Sequence, residues 1–218
     1  MKDRDIDAVI SILKEEVNKW ETPIVTHLAR EKRSPFVILI STLLSLRTKD
    51  ETTAAATARL IRQAATPAKM LTLSPETVAE AIYPVGFYRN KARTILAVSR
   101  ELMDRYHSQV PDTLEQLLAL PGVGRKTANL VLTLGFNKEG ICVDTHVHRI
   151  SNRLGYVSTK NPEQTEFALR EKLPTKYWKD YNTLLVAFGR RICRPVSPFC
   201  SICPIRAYCP RIGVKTSR

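Results

Sequence analysis

Three groups of residues in this 218-residue chain have the types and spacing to do chemistry. The first is a lysine set on a glycine turn. Leu120-Pro121-Gly122-Val123-Gly124 interrupts two apolar helical patterns, and glycines so close together let a backbone turn tightly and approach another molecule. A helix is predicted from Arg125, whose first turn presents amide N–H groups and a partial positive charge, a ready anion site. Gly122, Val123, Gly124 and Arg125 are the candidates for binding that anion. Lys126 stands in the same turn, where the helix field makes its amine easier to free as a nucleophile. The second group is Asp144, a carboxylate that follows a short loop, opens the next helix and can stabilise positive charge developing at a reacting centre. The third is Cys193-x6-Cys200-x2-Cys203-x5-Cys209, on a segment stiffened by Pro195, Pro198, Pro204 and Pro210. Four thiolates on one loop can hold zinc or an iron–sulfur cluster, and sulfur ligands alone do not choose between them.

The elements that must position these groups are helices. Ile6, Val9, Ile10, Leu13 and Val17 recur at helical spacing and give an amphipathic first helix. Ser34-Pro35 supplies a cap and a first-turn proline for an apolar helix from Phe36 to Leu46. That run is too short to span a bilayer, so it is expected to be central to the core. Asp50 is placed to cap an alanine-rich helix from Glu51 to Ala65, and Thr66-Pro67 and Ser74-Pro75 open two short helices. A turn at Tyr83 to Tyr88 precedes a helix from Arg89 to Tyr106, and Asp112 with Glu115 forms a capping-box-like start for the helix entering the hairpin. Ala128, four residues after Gly124, keeps the hairpin's two helices close. Gly135 stops the second of them, and helices at Thr145–Leu154, Asn161–Leu173 and Tyr177–Ile192 complete the series. Only 141–143 looks extended, too little for a sheet, so the fold expected is all-α with short connections.

Composition narrows the partners. Hydrophobic residues at 44% and charged ones at 25% describe a globular chain rather than a disordered one. The net charge of +13 favours a polyanion, and the anion expected at the hairpin is a nucleic-acid phosphate. The charged first residues do not read as a targeting segment, so a reducing cytoplasm is expected, where clustered cysteines bind metal more often than they form disulfides. Cys142, flanked by Ile141 and Val143, reads as a small buried residue outside that cluster.

LPGVGRK followed by VDTH and by the four cysteines resembles the endonuclease III family of helix-hairpin-helix base-excision DNA glycosylases, over nearly the whole chain. The resemblance implies a six-helix barrel at 29–138 that holds the hairpin. It implies a second helical domain from 1–28 and 139–218, with the active site in the cleft between the two. It makes Cys193, Cys200, Cys203 and Cys209 ligands of a [4Fe–4S] cluster of structural role. The partner implied is double-stranded DNA with a damaged or abasic site, met by a monomer in the cytoplasm, at the nucleoid, with no membrane attachment.

The chemistry implied is that of a bifunctional glycosylase and lyase acting on oxidised pyrimidines. Lys126 attacks the sugar C1′, displaces the base and leaves a Schiff base, which acidifies the C2′ proton and permits β-elimination of the 3′ phosphate. Asp144 stabilises the positive charge built on the sugar. Because a base inside a duplex must be flipped out, two loops are expected to fill the gap, here Leu46 to Lys49 and Gly86 to Tyr88, with Arg47 and Phe87 as wedges. Many relatives carry glutamine and an aliphatic residue at these two positions, which unsettles the opposite-base preference. His146 flanks the site as a further DNA contact, and His148, on another face of the helix, is expected to pair structurally. The tyrosines and tryptophans read as core. Two alternatives stand beside this reading: a thymine glycosylase acting on T:G mismatches, and a non-catalytic DNA-binding protein stabilised by a metal. Taken alone, Lys126 reads as a solvated charge, Asp144 as a helix cap, Phe87 as packing under its loop and Arg47 as a phosphate contact.

Overall fold

A computed structural model describes residues 1–20 and 34–218. Every regular element among them is helical. The helices are α1 (Ile6–Val17), α2 (Pro35–Ser45), α3 (Asp50–Gln63), α4 (Pro67–Met70), α5 (Pro75–Ile82), α6 (Tyr88–Tyr106), α7 (Leu114–Leu118), α8 (Arg125–Gly135), α9 (Thr145–Arg153), α10 (Pro162–Lys172) and α11 (Trp178–Arg191). Contacts divide the chain into two compact units, one of Met1–Pro23 with Glu139–Arg218 and one of Ile24–Lys138. The domain boundary expected at 28/29 lies outside the described residues. None of the described helices is long and apolar enough to cross a membrane.

In the Ile24–Lys138 unit, α2 is the axis of the core. Ser34 caps it by accepting from the Val37 N–H, Pro35 takes its first turn, and Phe36 through Leu44 are all buried. A helix buried all round can keep hydroxyls only if they find partners. Thr42 Oγ1 donates to Ile38 O at 2.7 Å and Thr57 Oγ1 to Ser41 Oγ at 3.3 Å, so its polar positions are satisfied internally or by α3. Around α2 pack α3, α6 and α8, while α5 bridges α3 and α6, and α7 packs on α8. Among the described residues, with the four-residue α4 set aside, six helices of this unit enclose a core of Leu39, Leu43, Leu60, Ile82, Ile95, Val98 and Val131 among others.

The other unit is built on α11, against which α1 and α9 lie, with α10 against α9. The predicted stripe of α1, Ile6 to Val17, is buried here with Ile150, Leu154, Leu185 and Phe188. Tyr181 is fully buried and pairs its hydroxyl with Ser151 Oγ at 3.1 Å, and burial pushes its pKa up to about 12.

Several features differ in detail from the sequence expectation. Asp50 lies inside α3 and gives no cap, because Lys49 holds the extended cap position. Thr113, not Asp112, caps α7 by accepting from the Gln116 N–H. The Asp112 carboxylate is taken instead by Lys138 Nζ at 2.6 Å. Residues 141–143 form no strand among the described residues; they are a buried connection, with Cys142 O accepting from Asn182 Nδ2 at 3.1 Å. Tyr83 is exposed rather than core, set edge-on against Tyr88 with ring centres 5.4 Å apart.

Candidate active site

The hairpin is held from below and bare above. Leu120 and Val123 are buried, and the Val123 N–H closes the turn on Leu120 O at 3.2 Å, so Val123 serves the hairpin's own structure. Gly122 has φ of +70°, and a Cβ there would stand 2.6 Å from Thr94 Cγ2 of α6. This turn therefore requires glycine twice over, by conformation and by space. Gly124 differs. Its φ is −96°, open to any residue, and among the described residues no atom lies within 4 Å of a Cβ built on it. It occupies the N-cap of α8 with no side chain to offer, so the positive end of the helix faces outward through bare backbone. Arg125 and Lys126 are the first two residues of α8 and are half-buried. Asn129, fully buried one turn on, donates from Nδ2 to Arg125 O at 3.0 Å and steadies that first turn.

In the same unit the two expected wedge loops meet. Arg47 and Phe87 both adopt left-handed backbone, φ 54° and 59°, which is uncommon for such side chains and marks loops held by their surroundings. The Arg47 guanidinium lies 5.6 Å from the Phe87 ring centre, and Phe87 is 60% exposed. Phe87 does not pack beneath its loop. A Cβ on Gly86 would come within 2.8 Å of Arg47 O, so the second loop touches the first through glycine backbone.

Asp144 belongs to the other unit. Its Oδ1 accepts from the His146 N–H at 2.8 Å and the Val147 N–H at 2.9 Å, capping α9. Among the described residues its second oxygen has no hydrogen-bond partner, and the carboxylate is half-buried. The cap thus fixes the side chain through one oxygen and presents the other. His146, expected as a further DNA contact, is half-buried in the first turn of α9. Its Nδ1 lies 3.1 Å from Arg149 Nη2, and a Cβ on Gly189 of α11 would meet that nitrogen at 2.5 Å. His148 pairs with Thr165 Oγ1 at 2.7 Å, the structural role expected of it.

The four cysteines of the loop after α11 form no disulfide and line one pocket with Phe188 and Phe199. Two arginines of α9 that sequence reasoning missed hold this loop. Arg149 donates from Nη2 to Cys193 O at 2.8 Å, and Arg153 from Nη1 to Arg194 O at 2.6 Å and to Cys193 Sγ at 3.4 Å. Their i, i+4 spacing on α9 was visible, but their partners lie some forty residues away. Burial first, and the neighbouring thiols after it, push Cys203 up to about 11 and raise Cys209. Ionised sulfur is unfavourable there unless positive charge sits among the four, which is the condition a metal-containing group meets. Among the described residues no three His, Cys, Asp or Glu side chains are placed closely enough to hold a metal ion.

Comparison with known proteins agrees with this arrangement. Residues 40–175 match the family described as HhH-GPD superfamily base excision DNA repair protein. The chain is 50% identical over 179 residues to endonuclease III of Thermotoga maritima, a match covering 82% of this chain and 84% of that one. Among solved structures it is similar to a trapped endonuclease III–DNA covalent intermediate, with a TM-score of 0.86, 32% identity and 97% of each chain covered. It is similar also to a thermostable thymine-DNA glycosylase, with a TM-score of 0.81, 25% identity, and 95% of this chain and 96% of that one covered. Helical fold and hairpin together define a base excision DNA repair protein of the helix-hairpin-helix class. Within that class, the chain belongs to the endonuclease III family.

Proposed function

We propose that this chain is a bifunctional DNA glycosylase and abasic-site lyase that excises oxidised pyrimidines from duplex DNA, with Lys126 as nucleophile and Asp144 as the carboxylate that stabilises charge on the sugar. The observation that carries the reading is the setting of Lys126, the second residue of a helix whose N-cap is bare glycine backbone, in a chain of this family. A phosphate bound at Gly122, Gly124 and Arg125 would fix the strand's register, and an amine in that first turn would stand beside it. Expulsion of the base by the neutral amine forms the C1′–N bond as the N-glycosidic bond breaks, the departing base taking up a proton; the C1′–O4′ bond then opens to give the Schiff base, O4′ taking up a proton, and the C2′ proton is lost as the 3′ phosphate leaves. Asp144 supports its part by geometry: anchored through Oδ1, it needs no reorganisation to offer Oδ2 to positive charge.

The division of labour goes with it: a barrel at 29–138 carrying hairpin and wedge loops, and a domain of 1–28 with 139–218 carrying Asp144 and the cysteines. Arg47 and Phe87 are the wedge, supported by their exposure and mutual stacking. Cys193, Cys200, Cys203 and Cys209 would hold a [4Fe–4S] cluster. Four thiols lining one pocket are the donor set such a group takes, and the cluster would supply a covalent cross-link to a loop with little core. A cytoplasmic monomer acting at DNA completes the reading. His146 would be a further DNA contact, its ring held from behind by Gly189 and Arg149.

Borohydride trapping tests the mechanism. Duplexes carrying an abasic site or an oxidised pyrimidine should yield a covalent adduct, absent in Lys126→Ala while DNA binding is kept. An adduct confined to T:G and abasic duplexes would move the substrate to mismatches, the second reading, which the likeness to a thymine-DNA glycosylase favours. Undiminished nicking by Lys126→Ala would refute the assignment.

A further inference from the structure

Behind the two wedge loops stands a lysine that the mechanism does not use. Lys91, in the first turn of α6, is half-buried, and its Nζ donates to three groups of the Leu46–Lys49 side: Leu44 O at 2.8 Å, Leu46 O, and Thr48 Oγ1 at 3.2 Å. The two carbonyls are orphans of the C-terminal end of α2, where a cation complements the negative end of the helix. Thr48 Oγ1 in turn accepts from the Gly86 N–H at 3.3 Å, so the same hydroxyl is shared by Lys91, the first loop and the second. Lys91 N–H also donates to Phe87 O at 3.0 Å, which fixes the residue that carries the ring. Arg59 does a parallel service one turn earlier, donating from Nε to Ala81 O at 2.8 Å and from Nη2 to Tyr83 O where α5 gives way to the second loop.

We propose that Lys91 is the positioning residue of the wedge: it locks the Leu46–Lys49 and Gly86–Tyr88 loops into one platform, on which Arg47 and Phe87 stand stacked before DNA arrives. The inference rests on the reading of these loops as the wedge. Two residues on separate loops would otherwise have to be ordered at the moment of insertion, at an entropic penalty that falls on base flipping. Left-handed backbone at both Arg47 and Phe87 persists only where surrounding contacts over-determine it, and the lysine's three acceptors with the shared hydroxyl are those contacts. Lys91 touches no reacting atom; it acts through the loops.

The test takes Lys91→Met, Lys91→Arg and Thr48→Val in the full chain, with two readouts. Amide hydrogen exchange in the free protein should be about tenfold faster or more at 46–48 and 86–88 in Lys91→Met, with the amides of α8 unchanged. On a duplex with a fluorescent purine opposite a stable abasic-site analogue, the wild-type chain should brighten the purine by unstacking it. Lys91→Met should lose most of that change while binding undamaged duplex as tightly as wild type. Lys91→Arg should stay within about twofold of wild type, and Thr48→Val should fall between the two, carrying the test if Lys91→Met does not fold. Unchanged loop exchange in Lys91→Met and Thr48→Val overturns the proposal whatever the DNA does, as does faster exchange with full brightening. A wild-type chain that never brightens the purine overturns the wedge reading instead.

Discussion

The two glycines of the hairpin look alike in sequence and are held for different reasons, so replacing each by alanine should give opposite results. In Gly122→Ala the new side chain must adopt φ of +70°, a left-handed conformation that costs an L-residue about 1–2 kcal/mol. Its Cβ must also displace Thr94 Cγ2 from 2.6 Å, an overpacking strain of about 1–3 kcal/mol. Reduced freedom of the unfolded chain offsets about 0.4–1 kcal/mol. A net loss of about 1–5 kcal/mol follows from these magnitudes. In Gly124→Ala neither strain arises. Losing glycine at an N-cap costs about 1 kcal/mol at most and the same unfolded-state gain nearly cancels it, so stability should move by less than about 1 kcal/mol.

Binding should divide the other way. A methyl at Gly124 projects into the open space where a phosphate would approach the first turn of α8. Loss of one hydrogen bond to a charged group, about 1.5–3 kcal/mol, lowers affinity about tenfold or more. The salt slope should shrink by about one phosphate contact. Urea denaturation of both variants, with DNA titrations at two salt concentrations for Gly124→Ala, makes the comparison. If Gly124→Ala unfolds as easily as Gly122→Ala, the bare N-cap has a structural reason the geometry does not contain. If it is stable and binds DNA as wild type does, phosphate does not sit on this backbone.

Other perturbations have equally definite outcomes. Leu39→Ala, at a fully buried position of α2, should destabilise by about 2–5 kcal/mol in urea, and a smaller loss would mean the core collapses readily around the cavity. Ser34→Ala should cost about 1 kcal/mol, read by the same method, since it removes the side-chain acceptor for the Val37 N–H. Burial lowers Lys91 from 10.5 to about 8, so between those values the unfolded chain binds more protons than the folded one. Stability should therefore rise with pH across that window relative to Lys91→Met, and melting curves that run parallel would contradict it. On the proposal that the four cysteines hold an iron–sulfur cluster, Arg149→Met should loosen Cys193 and hasten loss of visible absorbance to an iron chelator, without shifting loop exchange at 86–88.

Most of the fold was legible because it is written locally. Ser34-Pro35, Thr66-Pro67, Ser74-Pro75 and Asn161-Pro162 each start a helix as read, and each polar side chain caps the amide three residues on. Where the reading slipped, the deciding contact was distant. Asp112 has the chemistry of a cap and is drawn off by Lys138, twenty-six residues away, which leaves the role to Thr113. The same limit hid the helpers of the site. Lys91 and Arg149 are ordinary helix cations by local pattern, and their acceptors lie more than forty residues off. The proposed reactive groups could be named from sequence for the opposite reason, since hairpin, lysine, aspartate and cysteines carry their spacing within short stretches of chain.

Asp144 shows why a bland reading and a functional one need not compete. As a cap it satisfies two amides of α9 with one oxygen, which pins the rotamer of a side chain that would otherwise wander. A carboxylate meant to stabilise transient charge profits most from being fixed beforehand, so on the proposed assignment the structural role would serve the chemical one. Lys91 repeats the logic at the wedge: a cation satisfying helix-end carbonyls also holds two exposed side chains in strained backbone. In both places the fold's need to satisfy helix termini places a functional group, and the sequence shows only the termini.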